Sequence, residues 1–168
     1  MSAGDWVVRI ARWVLALIGA YFVVVLIVVL LPTGHHHGPE PPPLRARRQL
    51  RVIASAQQAF SSSCTRGDAY ARSLEDLAKP APYGKPFIAD EWIRPRHNGY
   101  VLTMTIPEDS AVEGESCNGL PLVSRYFVET HPEDPSTGWR SFAIDERGTL
   151  YSSDKPIAPG MGGASPDF

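Results

Sequence analysis

His35, His36 and His37 are the first residues in the chain whose type and spacing suggest chemistry. Imidazoles bind transition metals, but neighbouring side chains in a proline-flanked segment make a chelate without fixed geometry. A structural metal site needs about four ligands held in place. No Cys-x-x-Cys, second histidine pair or carboxylate cluster supplies the others, so no metal-binding residue is expected. His97 and His131 are isolated and read as a loop and a strand-end histidine. Ser61, Ser62 and Ser63 have no base nearby in the pattern. Asp145 and Glu146 fall in a turn. The pairs Asp90/Glu91 and Glu108/Asp109 lack the ligand spacing of a calcium loop. There is no phosphate-binding glycine loop, no Gly-x-Ser-x-Gly and no His-Glu-x-x-His. No catalytic or cofactor-binding residue is expected, and the chain reads as a non-enzyme.

Cys64 and Cys117 are the only cysteines. In a small domain outside the cytosol, such a pair is most simply a disulfide. The alternative is two unrelated buried thiols. Which of these holds depends on compartment, and so on the segment that decides where the domain resides.

That segment is Trp13 to Leu31, WVLALIGAYFVVVLIVVLL, nineteen residues without a charge. As a helix at ~1.5 Å per residue it spans roughly 28 Å, close to a ~30 Å bilayer core. Trp6 and Trp13 stand where interfacial aromatics belong, and Arg9 and Arg12 can snorkel to headgroups. A cleaved signal peptide has a shorter apolar core of ~7–15 residues and a small-x-small site. Leu31-Pro32-Thr33-Gly34 offers none. Residues 13–31 are therefore expected to be a retained transmembrane helix in contact with membrane lipid, after an N-terminal cytoplasmic segment 1–12. Arg9 and Arg12 favour this orientation. The arginines at 45–51 oppose it, and the cysteine pair tips the balance towards an extracytoplasmic domain.

Residues 32–43 hold Pro32, Pro39, Pro41, Pro42 and Pro43 besides the histidines, and read as a stiff, solvated spacer. Beyond it, Ala46, Leu50, Ile53, Gln57, Phe60 and Cys64 recur every three or four residues, one face of a helix over 44–64. Arg45, Arg47, Arg48, Arg51 and Ser55 fall off that face. Ser73 can cap a short helix SLEDLA with Leu74 and Leu77 inward. From Gly99 the period becomes two. Tyr100, Leu102, Met104 and Ile106 share one side of a strand. Pro107 to Gly119 reads as a loop. Leu122 to His131 reads as a second strand, with Tyr126 and Val128 opposite Phe127. Arg140 to Asp145 reads as a third, with Phe142 and Ile144 inward. Asp145 to Gly148 reads as a hairpin turn, and Thr149 to Ser152 as the returning strand. The glycine- and proline-rich residues 156–168 read as a disordered tail. The expectation for 44–155 is an α+β domain, an amphipathic helix packed on a small antiparallel β-sheet. Net charge is −2 over 168 residues, and no nucleic-acid partner is expected.

The segments RRQLRVIASAQQAFSSSC, YARSLEDLA, GYVLTMT and RYFVETHPEDPSTGWRSFAIDERGTLYSS, in this order, resemble the globular part of bacterial type IV pilin-like and type II secretion pseudopilin-like proteins. The strand opening at Gly99-Tyr100 and the hairpin from Gly138 to Tyr151 carry the likeness, which covers about 110 residues. It implies a long helix on an antiparallel sheet. It also implies a structural or interaction role among pilin-like or envelope proteins, at a bacterial inner membrane with the domain in the periplasm. The N-terminus departs from that family. The apolar run contains no glutamate, no Gly-Phe-x-x-x-Glu precedes it, and prolines separate it from the domain. Leader-peptidase processing and ordinary filament assembly are therefore not implied. A membrane-tethered module binding a small ligand or envelope component is the alternative function.

Overall fold

A computed structural model describes residues 3–30, 40–65, 67–81, 84–160 and 165–166. The chain forms two units, Met1–Gly38 and Pro39–Phe168. The first contains helix α1, Ala3–Leu30, 28 residues long. Its described side chains, 12–23 with 25 and 26, are all exposed. Among the described residues no helix is long and apolar enough to cross a membrane. The expected span runs on to Leu31, past the last described side chain of the helix. The side chains of Trp6 and Arg9, and the three histidines, also lie outside the described residues.

The second unit opens with helix α2, Pro42–Cys64. It starts two residues before Leu44, the first residue of the expected helix. The Pro41 carbonyl accepts from the N–H groups of Leu44 (3.0 Å) and Arg45 (3.2 Å). Pro42 and Pro43 occupy first-turn positions, where a missing N–H costs nothing. These two prolines, read as part of the spacer, belong to the helix, while 32–39 lie outside the described residues. All six residues of the expected stripe are buried.

After α2 come β1 (Tyr70–Ala71), α3 (Leu74–Ala78), a 3-10 turn at Asp90–Trp92, β2 (Arg96–His97) and β3 (Tyr100–Thr105). Then follow β4 (Ala111–Glu115), β5 (Pro121–Val123), β6 (Phe127–Pro132), β7 (Ser141–Asp145), β8 (Leu150–Ser153) and β9 (Ser165–Pro166). Ser73 Oγ caps α3 by accepting from the Asp76 N–H at 3.1 Å, and Leu74 and Leu77 are buried, as expected. The strands form two antiparallel sheets, one ordered β2-β3-β6-β7-β8-β9 and one ordered β1-β5-β4. The α+β expectation holds, with two sheets instead of one.

Register explains the core. Leu102 faces Thr130 and Met104 faces Val128, while Phe142 and Ile144 pair with Thr130 and Val128 in turn. This line of side chains forms one face of the larger sheet, and α2 lies across β6 and β7 on it. The opposite face carries a smaller apolar group of Phe127, Ala143 and Ile157, with Tyr151 beside it.

Two expectations are corrected. The stretch 107–119, read as a loop, contains β4. Its alternation is masked by polar residues and by a bulge between Val112 and Glu115, where Gly114 has φ 108°. Leu122–His131 is two strands in different sheets. The break falls at 124–126, where Tyr126 turns into the core and meets the Tyr70 ring edge-on at 5.1 Å. The tail read as disordered from Pro156 makes contacts at its described residues. Ile157 is buried, its N–H donates to Glu129 Oε1 at 2.7 Å, and β9 pairs with β8. Residues 161–164 and 167–168 lie outside the description.

Candidate functional site

Cys64, last residue of α2, and Cys117, in the turn after β4, form a disulfide with their Cα atoms 4.7 Å apart. The Cys117 N–H also donates to the Cys64 carbonyl at 2.9 Å. The bridge ties the helix end to the smaller sheet. Gln57 makes a second tie one face-repeat earlier. It is fully buried; its Nε2 donates to the Ala71 carbonyl (3.1 Å) and its Oε1 accepts from the Ala71 N–H (2.9 Å). A helix side chain thus pairs with β1 as a neighbouring strand would. The sequence placed Gln57 on the buried face, but nothing local identified its partner.

A groove of about 570 Å³ opens at the β7–β8 end of the larger sheet. Phe127, Tyr151, Ile157 and Pro159 form apolar walls, and Arg125 and Arg147 stand among its polar lining. The tail supplies Ile157 to Gly160. Asp145 lines it too, but its carboxylate is engaged. Oδ1 accepts from the N–H groups of Arg147 (3.1 Å) and Thr149 (3.3 Å), and Oδ2 accepts from Tyr151 Oη (3.0 Å). Asp145 thus organises the expected hairpin, with Gly148 at φ 73°. Burial first, and then the bond to Asp145, push the Tyr151 phenol up. Burial, with smaller contributions from Tyr70, Asp145 and Glu146, does the same to Tyr126. Both phenols therefore stay protonated at neutral pH. The groove can hold an apolar or aromatic group flanked by polar contacts; its ionisable groups are not arranged as a nucleophile and base.

The remaining candidate residues are dispersed. His97 lies in β2 and His131 in β6, where its Nδ1 comes within 3.4 Å of Glu129 Oε2. Ser62 Oγ donates to the Ala59 carbonyl at the helix end, and the Ser61 hydroxyl is buried. Asp90 and Glu91 form the 3-10 turn before β2, and Glu108 and Asp109 the turn before β4. Among the described residues no three His, Cys, Asp or Glu side chains are grouped to hold a metal ion.

The Gly99-Tyr100 pair has a packing role. Gly99 has φ 78°, and a Cβ there would come within 3.0 Å of the Trp139 ring. Trp139 stacks on Tyr100 at 5.7 Å, and Tyr100 Oη donates to the Arg140 carbonyl at 3.0 Å. No protein-family model, curated protein or solved structure matches the chain.

Proposed function

We propose that the chain is a single-pass membrane protein. Residues 13–31 cross a bacterial inner membrane, and the α+β domain is a pilin-like head on the extracytoplasmic side. Its role is structural or interactive, beside a type IV pilus or type II secretion machine. The observation that carries the reading is the exposure of apolar side chains along α1, with Trp13, Leu15, Leu17, Tyr21, Phe22 and Leu26 each more than half exposed. A helix apolar all round needs an apolar environment, and a bilayer supplies one. Two further features support the head and its placement: a helix stripe buried on an antiparallel meander, and a disulfide, which persists in oxidising compartments.

In native membranes the protein should resist alkaline carbonate extraction. Protease added to spheroplasts should digest the domain. Release by carbonate, or digestion only after the cells are lysed, overturns the anchor or its orientation. Site-directed crosslinks from the domain surface should capture pilus or secretion components. The groove beside Phe127 and Tyr151 favours the second reading, a tethered binding module. A small molecule copurifying in that groove, with no crosslinks to such components, would select it.

A further inference from the structure

Where the start of α2 meets the β2–β3 hairpin there is a second pocket of about 310 Å³, lined by Glu40, Arg45, Arg48, Trp92, His97 and Asn98. Its chemistry is one-sided. Two guanidinium groups, an imidazole and a carboxamide surround one opening, with Glu40 the sole carboxylate lining it. The first turn of α2 holds no acid, so Glu40, just before the N-cap, is the one carboxylate lining the pocket at the positive end of the helix dipole.

The donors are held in place before any ligand arrives. Arg45 Nη1 donates to Asn98 Oδ1 at 3.0 Å, which fixes one edge of its guanidinium and leaves its other N–H groups available. The Arg48 guanidinium lies 5.8 Å over the Trp92 ring. Trp92 is fixed in turn, because Gln49 Nε2 donates to its carbonyl at 2.6 Å. Asn98 sits at the hairpin turn with φ 53°, an uncommon backbone for a residue with a side chain. Its Nδ2 is buried and lacks a hydrogen-bond partner among the described residues. Arg45 and Arg48 are three residues apart on one helix face, where like charges repel. Glu40 relieves this only in part: its Oε2 is 3.6 Å from Arg48 Nη1, beyond hydrogen-bond distance.

We propose that this pocket binds a phosphate group, carried either by a free phosphate or by an anionic lipid headgroup. A tetrahedral dianion or phosphodiester accepts forked N–H pairs from arginine, and Arg45 and Arg48 present two such forks to one opening. Glu40 then acts as an internal competitor that the ligand displaces from Arg48. The pocket is separate from the groove at the β7–β8 end, and the inference does not depend on the anchor.

The test uses the full chain in a neutral detergent. Isothermal titration is run with inorganic phosphate, and separately with short-chain phosphatidylglycerol and phosphatidylcholine. The expected result is one saturable site for phosphate or phosphatidylglycerol, and the stronger of the two identifies the source. Arg45→Gln with Arg48→Gln should weaken that binding at least tenfold. Glu40→Gln should tighten it severalfold, and Arg72→Gln, elsewhere on the surface, should leave it unchanged. Opposite signs at Glu40 and the arginines distinguish a site from a structural effect. If the double variant does not fold, Glu40→Gln decides alone, and unchanged affinity overturns the proposal. Absence of saturable binding to either ligand, or equal weakening by Arg72→Gln, also overturns it.

Discussion

Gln57 shows how a single polar residue can specify a fold that apolar packing alone would leave loose. Its carboxamide uses a donor and an acceptor on one residue of β1, in a site closed to water. Replacing it with Leu removes both partners and strands the Ala71 N–H and C=O. At ~1–3 kcal/mol per unsatisfied buried group, Gln57→Leu should cost about 3 kcal/mol in chemical denaturation. A loss below ~1 kcal/mol, the scale of an ordinary surface change, would show that the pairing is dispensable. The buried tyrosines give a second residue-level test. Burial raises the Tyr100 phenol from 10.0 to about 12 and raises Tyr126 as well. Below pH 10 the neutral phenol is present in both folded and unfolded chains, and the contribution to stability is intact. Between pH 10 and 12 the unfolded chain ionises while the folded one resists, so stability falls as pH rises. Ultraviolet titration should show these two phenols ionising only with the loss of near-ultraviolet dichroism. Their ionisation near pH 10 in a folded protein would contradict the burial. The sequence placed Tyr100 on one strand face with Leu102 and Met104, and Tyr126 on one face with Val128, without showing which face is buried. It gave no sign of the Tyr100–Trp139 stack, because that contact spans 39 residues of chain.

At the scale of elements, what was legible depended on periodicity. The α2 stripe, the α3 cap, β3 and the β7–β8 hairpin were readable because apolar spacing and turn chemistry agree locally. β4 was not, since a short strand with polar residues and a glycine bulge has no alternation to detect. The smaller sheet is tied to α2 by the Gln57–Ala71 pairing and the Cys64–Cys117 bridge. With a sequence separation of 53, the chain-entropy model assigns that bridge about 4 kcal/mol. Cys117→Ser should therefore lower the melting temperature markedly and leave Cys64 open to alkylation. Ready alkylation of both thiols in the untreated protein, or an unchanged melting temperature, would remove the bridge from the account of stability.

For the whole molecule, the candidate sites were the least legible part. Each is assembled from residues far apart in sequence: the arginines of α2 with Trp92 and the β2–β3 turn, and Phe127 and Tyr151 with the tail. Periodicity finds the face an element buries, but not which loop ends meet. The contacts of the described tail residues were hidden for a related reason. Composition rich in glycine and proline argues for disorder and gives no sign that Ile157 packs beside Phe127 and Ala143.

The pairing of β9 with β8 has a consequence for how copies of the protein behave towards one another. A sheet that stops at an unpaired strand offers its free N–H and C=O groups to any similar strand nearby. β9 occupies that position against β8, and Pro166 within it has no N–H with which to recruit a further neighbour. Ile157 at the same time covers apolar area beside Phe127. β9 and Ile157 are therefore a guard against self-templating. A copy clipped after Asp154 would keep its helix and disulfide yet gain a sticky margin, and crowding many copies together would turn that margin into fibrous association.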